Sequence, residues 1–314
     1  MGKAYSLNGY LNAVLRRSAR TLLVEGPTDK LAIHRVLAEQ PDLSQGYAVD
    51  HAALIDDKEL ASLGAKAKIL IVRKTADTLA EKHPSLSSML GCLVDREWDG
   101  LSLDAGELNS GWTAPIQLHN HFVTLGHSIE NYHFDKDCIL RYLKFAFAEH
   151  FTNSVQVKVT DNFRSAIALA GAVSFEVQAN SCITRLGGLV LPEHIESRNA
   201  GLYLASSFVD AACTRQIADP DLLLKRVNDS VDSQWRMLAA APHAHWLLHG
   251  HIGSDVLWAC IGYLTLQTGV PFEIAEQIAR GGQHERRRCW LDWLATGAAE
   301  RRIPLDHAVA WLQA

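Results

Sequence analysis

Apolar positions along this chain follow one pattern in the first 135 residues and another after that. Leu22, Leu23 and Val24, and later Cys92, Leu93 and Val94, are unbroken apolar runs with strand character. Each ends abruptly in carboxylates: Glu25 after the first, and Asp95, Glu97 and Asp99 after the second. Before the first run, Leu7, Tyr10, Leu11, Val14 and Leu15 recur at helical spacing behind Ser6, a side chain suited to capping, which predicts a helix over 7–20. Gly26 and Pro27 make a sharp turn into a helix through Leu31, Ile33, Val36 and Leu37 that ends before Pro41. Residues 47–54 are a weaker strand candidate, and 121–125 a further strand that turns into Ser128, Ile129, Glu130 and Asn131. The stretch 66–82 carries apolar residues at both periods and is read as a strand or helix start followed by helix. Helical spacing then dominates over 138–151, 163–179, 219–241, 254–268, 272–280, 286–295 and 305–312, interrupted by one possible strand at 183–191. The expectation is an α/β unit over 1–135, a parallel sheet flanked by helices, and a mainly helical unit over 136–314.

Composition adds limits. With 48% apolar and 21% charged residues the 314-residue chain is ordinary globular material, long enough for a sizeable core. Its net charge of −5 gives no bulk attraction to nucleic acid, so any such binding must rest on local basic patches or metal ions. Cys92, Cys138, Cys182, Cys213, Cys260 and Cys289 are scattered, with no C-x-x-C pair, and fit reduced, mostly buried thiols. Arg16, Arg17 and Arg20 follow the first apolar residues, the wrong order for a signal peptide, and the longest apolar stretch, 256–266, is too short to span a membrane. A cytoplasmic protein without membrane contact is expected.

The acids carry the candidate chemistry. In an open α/β sheet, ligands bind outside the carboxyl ends of the strands, near the point where strand order reverses. If the two apolar runs are neighbouring parallel strands, Glu25, Asp95, Glu97 and Asp99 converge at one edge. Asp95, Glu97 and Asp99 alternate, and in extended backbone alternate side chains share a side. Clustered carboxylates repel and are best held by a divalent cation such as Mg²⁺ or Mn²⁺. Such a cluster suits two-metal phosphoryl transfer. The bland alternatives are a solvated loop for Glu25 and a charged hairpin balanced by Arg96 for the second run.

Weaker candidates surround this core. Asp29 and Lys30 open the second helix and are candidate substrate contacts, although Asp29 also suits a helix N-terminus. Glu130 and Asn131 suit either a coordination shell or a capping pair. His243, His245, His249 and His251 lie close together, with His245 and His249 spaced to share a helix face. They invite a zinc site without an H-E-x-x-H motif, or phosphate contacts from His249 and His251. Arg286 and Arg287, with Arg288 and Arg280, lie beside Trp290 and Trp293, a pattern for a nucleic-acid backbone with stacked bases or for a solvated helix face above core tryptophans. No Walker A loop and no Gly-x-Ser-x-Gly elbow is present.

In order, a strand ending at Glu25 and Gly26 with Asp29 beyond, a strand ending at Asp95 and Arg96 with Asp99 beyond, and then Ile129, Glu130, Asn131 and Tyr132 resemble one branch of the TOPRIM-fold proteins. That branch holds the nuclease effectors that accompany ABC-type ATPases in bacterial anti-phage defence, the PARIS systems, and is related to the OLD-family nucleases. The resemblance covers residues 20–135, with a weaker echo at His249, Gly250 and His251. It implies a Mg²⁺-dependent phosphodiesterase in which Glu25 is a general acid/base or metal ligand and Asp95 the primary metal ligand. The family's usual Asp-x-Asp appears here as Asp95-x-Glu97 with Asp99 beyond it, a departure that leaves either Glu97 or Asp99 as the second ligand, and Glu130 is a further metal or structural ligand. It also implies an ABC-type ATPase partner, RNA (chiefly tRNA) as substrate, and pairing of copies into a homodimer when active. The alternatives are an OLD-like DNA endonuclease and a catalytically silent adaptor that binds an ATPase.

Overall fold

The computed structural model describes residues 4–40, 46–100, 113–199 and 201–314. The chain divides into two compact units: Met1–Arg96, Ala114–Leu125 and Leu291–Ala314 form the first, Glu97–Thr113 and Gly126–Trp290 the second. This partition differs from the division at residue 135 expected from the sequence. The last 24 residues, Leu291–Ala314, return to the first unit because their apolar side chains find their partners there.

In the first unit Ser6 Oγ accepts the Gly9 N–H at 3.2 Å and starts α1 (Leu7–Leu15), which buries Tyr10, Leu11 and Val14. The helix ends before residue 20 because Arg20 already belongs to β1 (Arg20–Val24). A four-stranded, all-parallel sheet follows, in the order β2 (Tyr47–His51), β1, β3 (Leu90–Val94) and β4 (His121–Val123). Register pairs Leu22 with Val49, Leu23 with Cys92 and Leu93 with Phe122. The central strands are covered on both faces, which is why they read as unbroken apolar runs; the edge strands β2 and β4 are only partly buried and gave weaker signals. Leu22, Leu23 and Val24 are at most 1% exposed, and burying each contributes about 1.5–3 kcal/mol.

α2 (Pro27–Leu37) links β1 to β2, and α3 (Ala65–Leu79) precedes the short α4 (Ser85–Met89) before β3. The ambiguous stretch at 66–82 is therefore helix from its start. The helix Leu305–Gln313 lies against the sheet: a Cβ built on Gly91 in β3 would come within 2.7 Å of the Trp311 ring, so only glycine admits this approach. The Arg20 guanidinium sits 5.3 Å above the same ring.

The second unit has its own core, around the helices Asn153–Ala179 and Gly250–Leu266. Lys136–Ala146, Pro220–Ser230 and Phe272–Arg280 complete most of its helical content. The strand expected at 183–191 is instead a helical turn, Ile183–Leu186. The strands lie just beyond it, as the antiparallel pair β5 (Ile195–Arg198) and β6 (Gly201–Leu204). Pro220–Ser230 continues into a π-helical turn, Val231–Trp235. The described cysteines form no disulfide, and four of them are buried. Among the described residues no helix is long and apolar enough to cross a membrane.

Candidate active site

Strand order decides where a site can form in the first unit. The step from β1 to β2 runs one way across the sheet, and the step from β2 to β3 crosses back over β1, so the order reverses between β1 and β3. The crevice at such a reversal, outside the carboxyl ends, is the general ligand position of open α/β sheets. Glu25 follows β1 and Asp95 follows β3 at this place. The structure joins them directly: the Asp95 N–H donates to Glu25 Oε1 at 2.8 Å. Both residues are half-buried.

Neighbouring groups set the shape of this end of the sheet. The Arg96 N–H donates to Thr124 Oγ at 2.9 Å and its guanidinium reaches the Leu125 carbonyl at 3.4 Å; Arg96 is only 4% exposed, so it is a packed cation and not a surface counter-charge. Lys66, in the first turn of α3, donates from Nζ to the Arg96 carbonyl at 3.2 Å. Lys66 and Thr124 thus both hold the Arg96 backbone, one residue beyond Asp95. Sequence pattern singles out neither Lys66 nor Thr124. A lysine opening a helix and a threonine after a short edge strand are common, and only the sheet brings them to Asp95.

Asp29 has a different job. Its Oδ2 accepts the Gly26 N–H at 2.8 Å, closing the first turn of α2, and the residue is 6% exposed. This is the helix-terminus role; Lys30 beside it is half-buried.

Glu97 and Asp99 depart from the expected alternation. Glu97 has φ +54°, in the left-handed region, and Glu97–Gly100 forms a turn. Alternate residues share a face only while the backbone stays extended, so Asp95, Glu97 and Asp99 are not presented as one row. Such a φ costs a residue with a Cβ about 1–2 kcal/mol. The Glu97 N–H is tied to the His127 carbonyl at 2.7 Å, and the side chains of Glu97 and Asp99 are exposed.

The second unit gathers a different group. Trp98 and His127 rings lie 5.0 Å apart, His127 and His249 4.4 Å, and His249 and His251 6.3 Å. Trp98 Nε1 donates to the Leu247 carbonyl at 3.0 Å. His249 caps the helix Gly250–Leu266, its Nδ1 accepting the Ile252 N–H at 3.4 Å. Burial first, and His251 second, push the His249 pKa down to about 4, with Glu130 opposing, so the imidazole is neutral at pH 7. Glu130 is half-buried near Gly250: a Cβ on that glycine would lie 3.1 Å from Glu130 Oε2 and 1.9 Å from Ser128 Oγ.

Several expectations are corrected here. Asn131 is fully buried and cannot touch a substrate. Its Nδ2 donates to the His245 carbonyl at 2.7 Å and the Leu248 carbonyl at 2.9 Å, while Oδ1 accepts the Ser128 N–H at 2.9 Å. It is the clamp that holds the histidine segment. His245 and His249 do not share a helix face, because Ala244–Leu247 is a single 3-10 turn and Leu248 is extended before His249 opens a new helix. Burial pushes His245 down to about 4 as well. Arg286 is half-buried and turned inward: its guanidinium packs 4.1 Å over the Trp258 ring, donates to the Ile278 carbonyl, and has its pKa lowered by burial. Arg287 is half-buried and Arg288 exposed on the helix Gln283–Thr296, while Trp290 is 5% exposed, so Arg286 and Trp290 are packed inward and Arg288 stays at the surface.

Among the described residues no group of three or more histidine, cysteine, aspartate or glutamate side chains is assembled as a metal centre. The Glu25 and Asp95 pair remains chemically suited to Mg²⁺, which takes hard oxygen donors and is commonly held by one or two carboxylates with water and phosphate oxygens filling its shell. The fold and this pair define an α/β protein with a carboxylate-bearing switch point and a helical companion unit. The chain matches no protein-family model, and no curated protein is significantly similar to it.

Proposed function

We propose that this chain is a Mg²⁺- or Mn²⁺-dependent nuclease of the TOPRIM type, an AriB-like effector coupled to an AriA-like ABC-type ATPase of a PARIS anti-phage system, cleaving RNA of the tRNA class. The observation that carries the reading is the contact between Glu25 and Asp95 at the reversal of strand order. Two acids more than sixty residues apart meet where an α/β sheet binds ligand. The order of motifs along the chain supports the TOPRIM assignment. The proposal rests on this pair, within the first unit; Glu97, Asp99 and Glu130 belong to the second unit.

In this reading Asp95 and Glu25 hold the cation, and the Glu25 carboxylate also fixes the loop after β3 through the Asp95 N–H. A divalent ion bound there would activate water and neutralise charge on the scissile phosphate. A second reading, a catalytically silent adaptor for the ATPase, draws support from Glu97 and Asp99, whose exposed turn lacks the row of acids expected of a two-metal site.

The test uses purified full-length protein incubated with tRNA and with plasmid DNA, in Mg²⁺, in Mn²⁺ and in chelator. Metal-dependent cleavage of tRNA, lost in Asp95→Asn, is the expected result. Cleavage of DNA alone assigns the OLD-like activity instead. Binding without cleavage of either, under both metals, assigns the adaptor and overturns the proposal.

A further inference from the structure

The second unit contains a cavity of about 230 Å³ that the nuclease reading does not use. Its floor is apolar: Ala168 on the helix Asn153–Ala179, Leu202 on β6 and Val231 at the start of the π-helical turn. Arg164, Arg236 and Asn199 line the same cavity. In an α-helix, residues five apart point about 140° away from each other. The wider π-turn returns position i+5 to nearly the same side, and so brings Val231 and Arg236 together onto the cavity. Such turns are a poor use of backbone hydrogen bonds and recur at functional sites.

The two arginines differ in a useful way. Arg236 is held in place: its Nη2 donates to Asp232 Oδ1 at 2.7 Å and to the Tyr203 hydroxyl, and that hydroxyl donates to Asp232 at 2.6 Å. Asp232 therefore balances Arg236. Arg164 is exposed, and among the described residues no carboxylate pairs with it, so one guanidinium charge at the cavity is uncompensated. An anion is the natural complement, and a planar guanidinium also stacks on flat rings. A cavity of this size takes one small molecule and not an extended strand or peptide.

We propose that this cavity binds a small molecule in which an oxyanion is joined to a flat heteroaromatic ring, the chemistry of a nucleoside monophosphate. Arg164 and Arg236 take the oxyanion, Asn199 the polar edge of the ring, and Ala168, Leu202 and Val231 its face. The proposal does not depend on the nuclease reading, and neither result bears on the other.

Isothermal titration of the full chain with the four nucleoside 5′-monophosphates, adenosine and inorganic phosphate tests it. At least one monophosphate should bind, with adenosine and phosphate at least about tenfold weaker. Arg164→Ala should weaken that binding about tenfold or more, the size of one charge-assisted hydrogen bond. Arg164→Lys should recover part of it. Arg164 is exposed, so thermal unfolding of the unliganded variant should be unchanged. The proposal is overturned if no monophosphate binds, if Arg164→Ala binds as wild type does, or if phosphate alone binds as tightly as the nucleotide.

Discussion

Replacing Glu25 separates a chemical role from a structural one. Its Oε1 accepts the Asp95 N–H at 2.8 Å, a hydrogen bond to a charged acceptor worth about 1.5–3 kcal/mol. Glu25→Gln keeps an oxygen at the same position but removes the charge, so it should cost about 1 kcal/mol, the difference between a charged and a neutral acceptor. For a unit of this size that lowers Tm by about 2–4 °C. Glu25→Ala leaves the Asp95 N–H without its acceptor and should cost about 1–3 kcal/mol. Activity should not follow this graded order. If the carboxylate holds the cation, both variants should lose cleavage by about 100-fold or more, a loss reached in some sites by disturbing even an outer-shell partner. Unfolding scans give the stability order, single-turnover cleavage of tRNA across a Mg²⁺ series gives activity, and calorimetric titration of Mg²⁺ without RNA gives the binding loss. A Glu25→Gln variant that cleaves within twofold of wild type, with unchanged Mg²⁺ dependence, would make Glu25 a backbone peg and refute the assignment.

Asn131→Ala should destabilise the protein by about 3 kcal/mol or more in urea titration, because it orphans the His245 and Leu248 carbonyls and the Ser128 N–H in a buried place; a loss under 1 kcal/mol contradicts the clamp. Acid should weaken the fold early: His245 and His249 titrate at about 4 and His133 at about 3, against an ordinary 6.5, so between those values the unfolded chain binds more protons. Stability is then full above pH 6.5 and falls as pH drops toward 4, with a shallower fall in His249→Gln; a Tm that is flat or rises on acidification contradicts this. Arg286→Ala should lower stability by about 2–4 kcal/mol, through lost packing on Trp258, and leave the salt dependence of nucleic-acid binding unchanged; a smaller salt slope at unchanged Tm would restore it as a phosphate contact.

Local pattern was sufficient where burial is complete on both sides. β1 and β3 are central strands, every residue from Thr21 to Val24 and from Leu90 to Val94 is buried, and their ends are marked by the carboxylates that follow. Ser6 and Gly26-Pro27 mark helix starts through chemistry that acts within one turn. By contrast, β5 and β6 are four residues each and lie in helical surroundings, and their pairing is a contact between segments that periodicity does not report.

The candidate site divides in the same way. Glu25 and Asp95 stand out in the sequence because each interrupts an apolar run, and their identity required no knowledge of the fold. That they meet was decided by strand order, which sets β1 beside β3. Backbone direction beyond Asp95 was also decided in three dimensions: the left-handed Glu97 ends the alternation that a linear reading extends to Asp99. Arg286 is basic in any linear reading, and only packing shows its guanidinium covered by Trp258 and Tyr142. Residue types and their short-range spacing determined which segments become buried strands and capped helices, since those forces act over a few residues. Register, return of the C-terminal helix to the sheet, and the partners of every charged side chain were settled by tertiary structure, because they depend on surfaces that are distant along the chain.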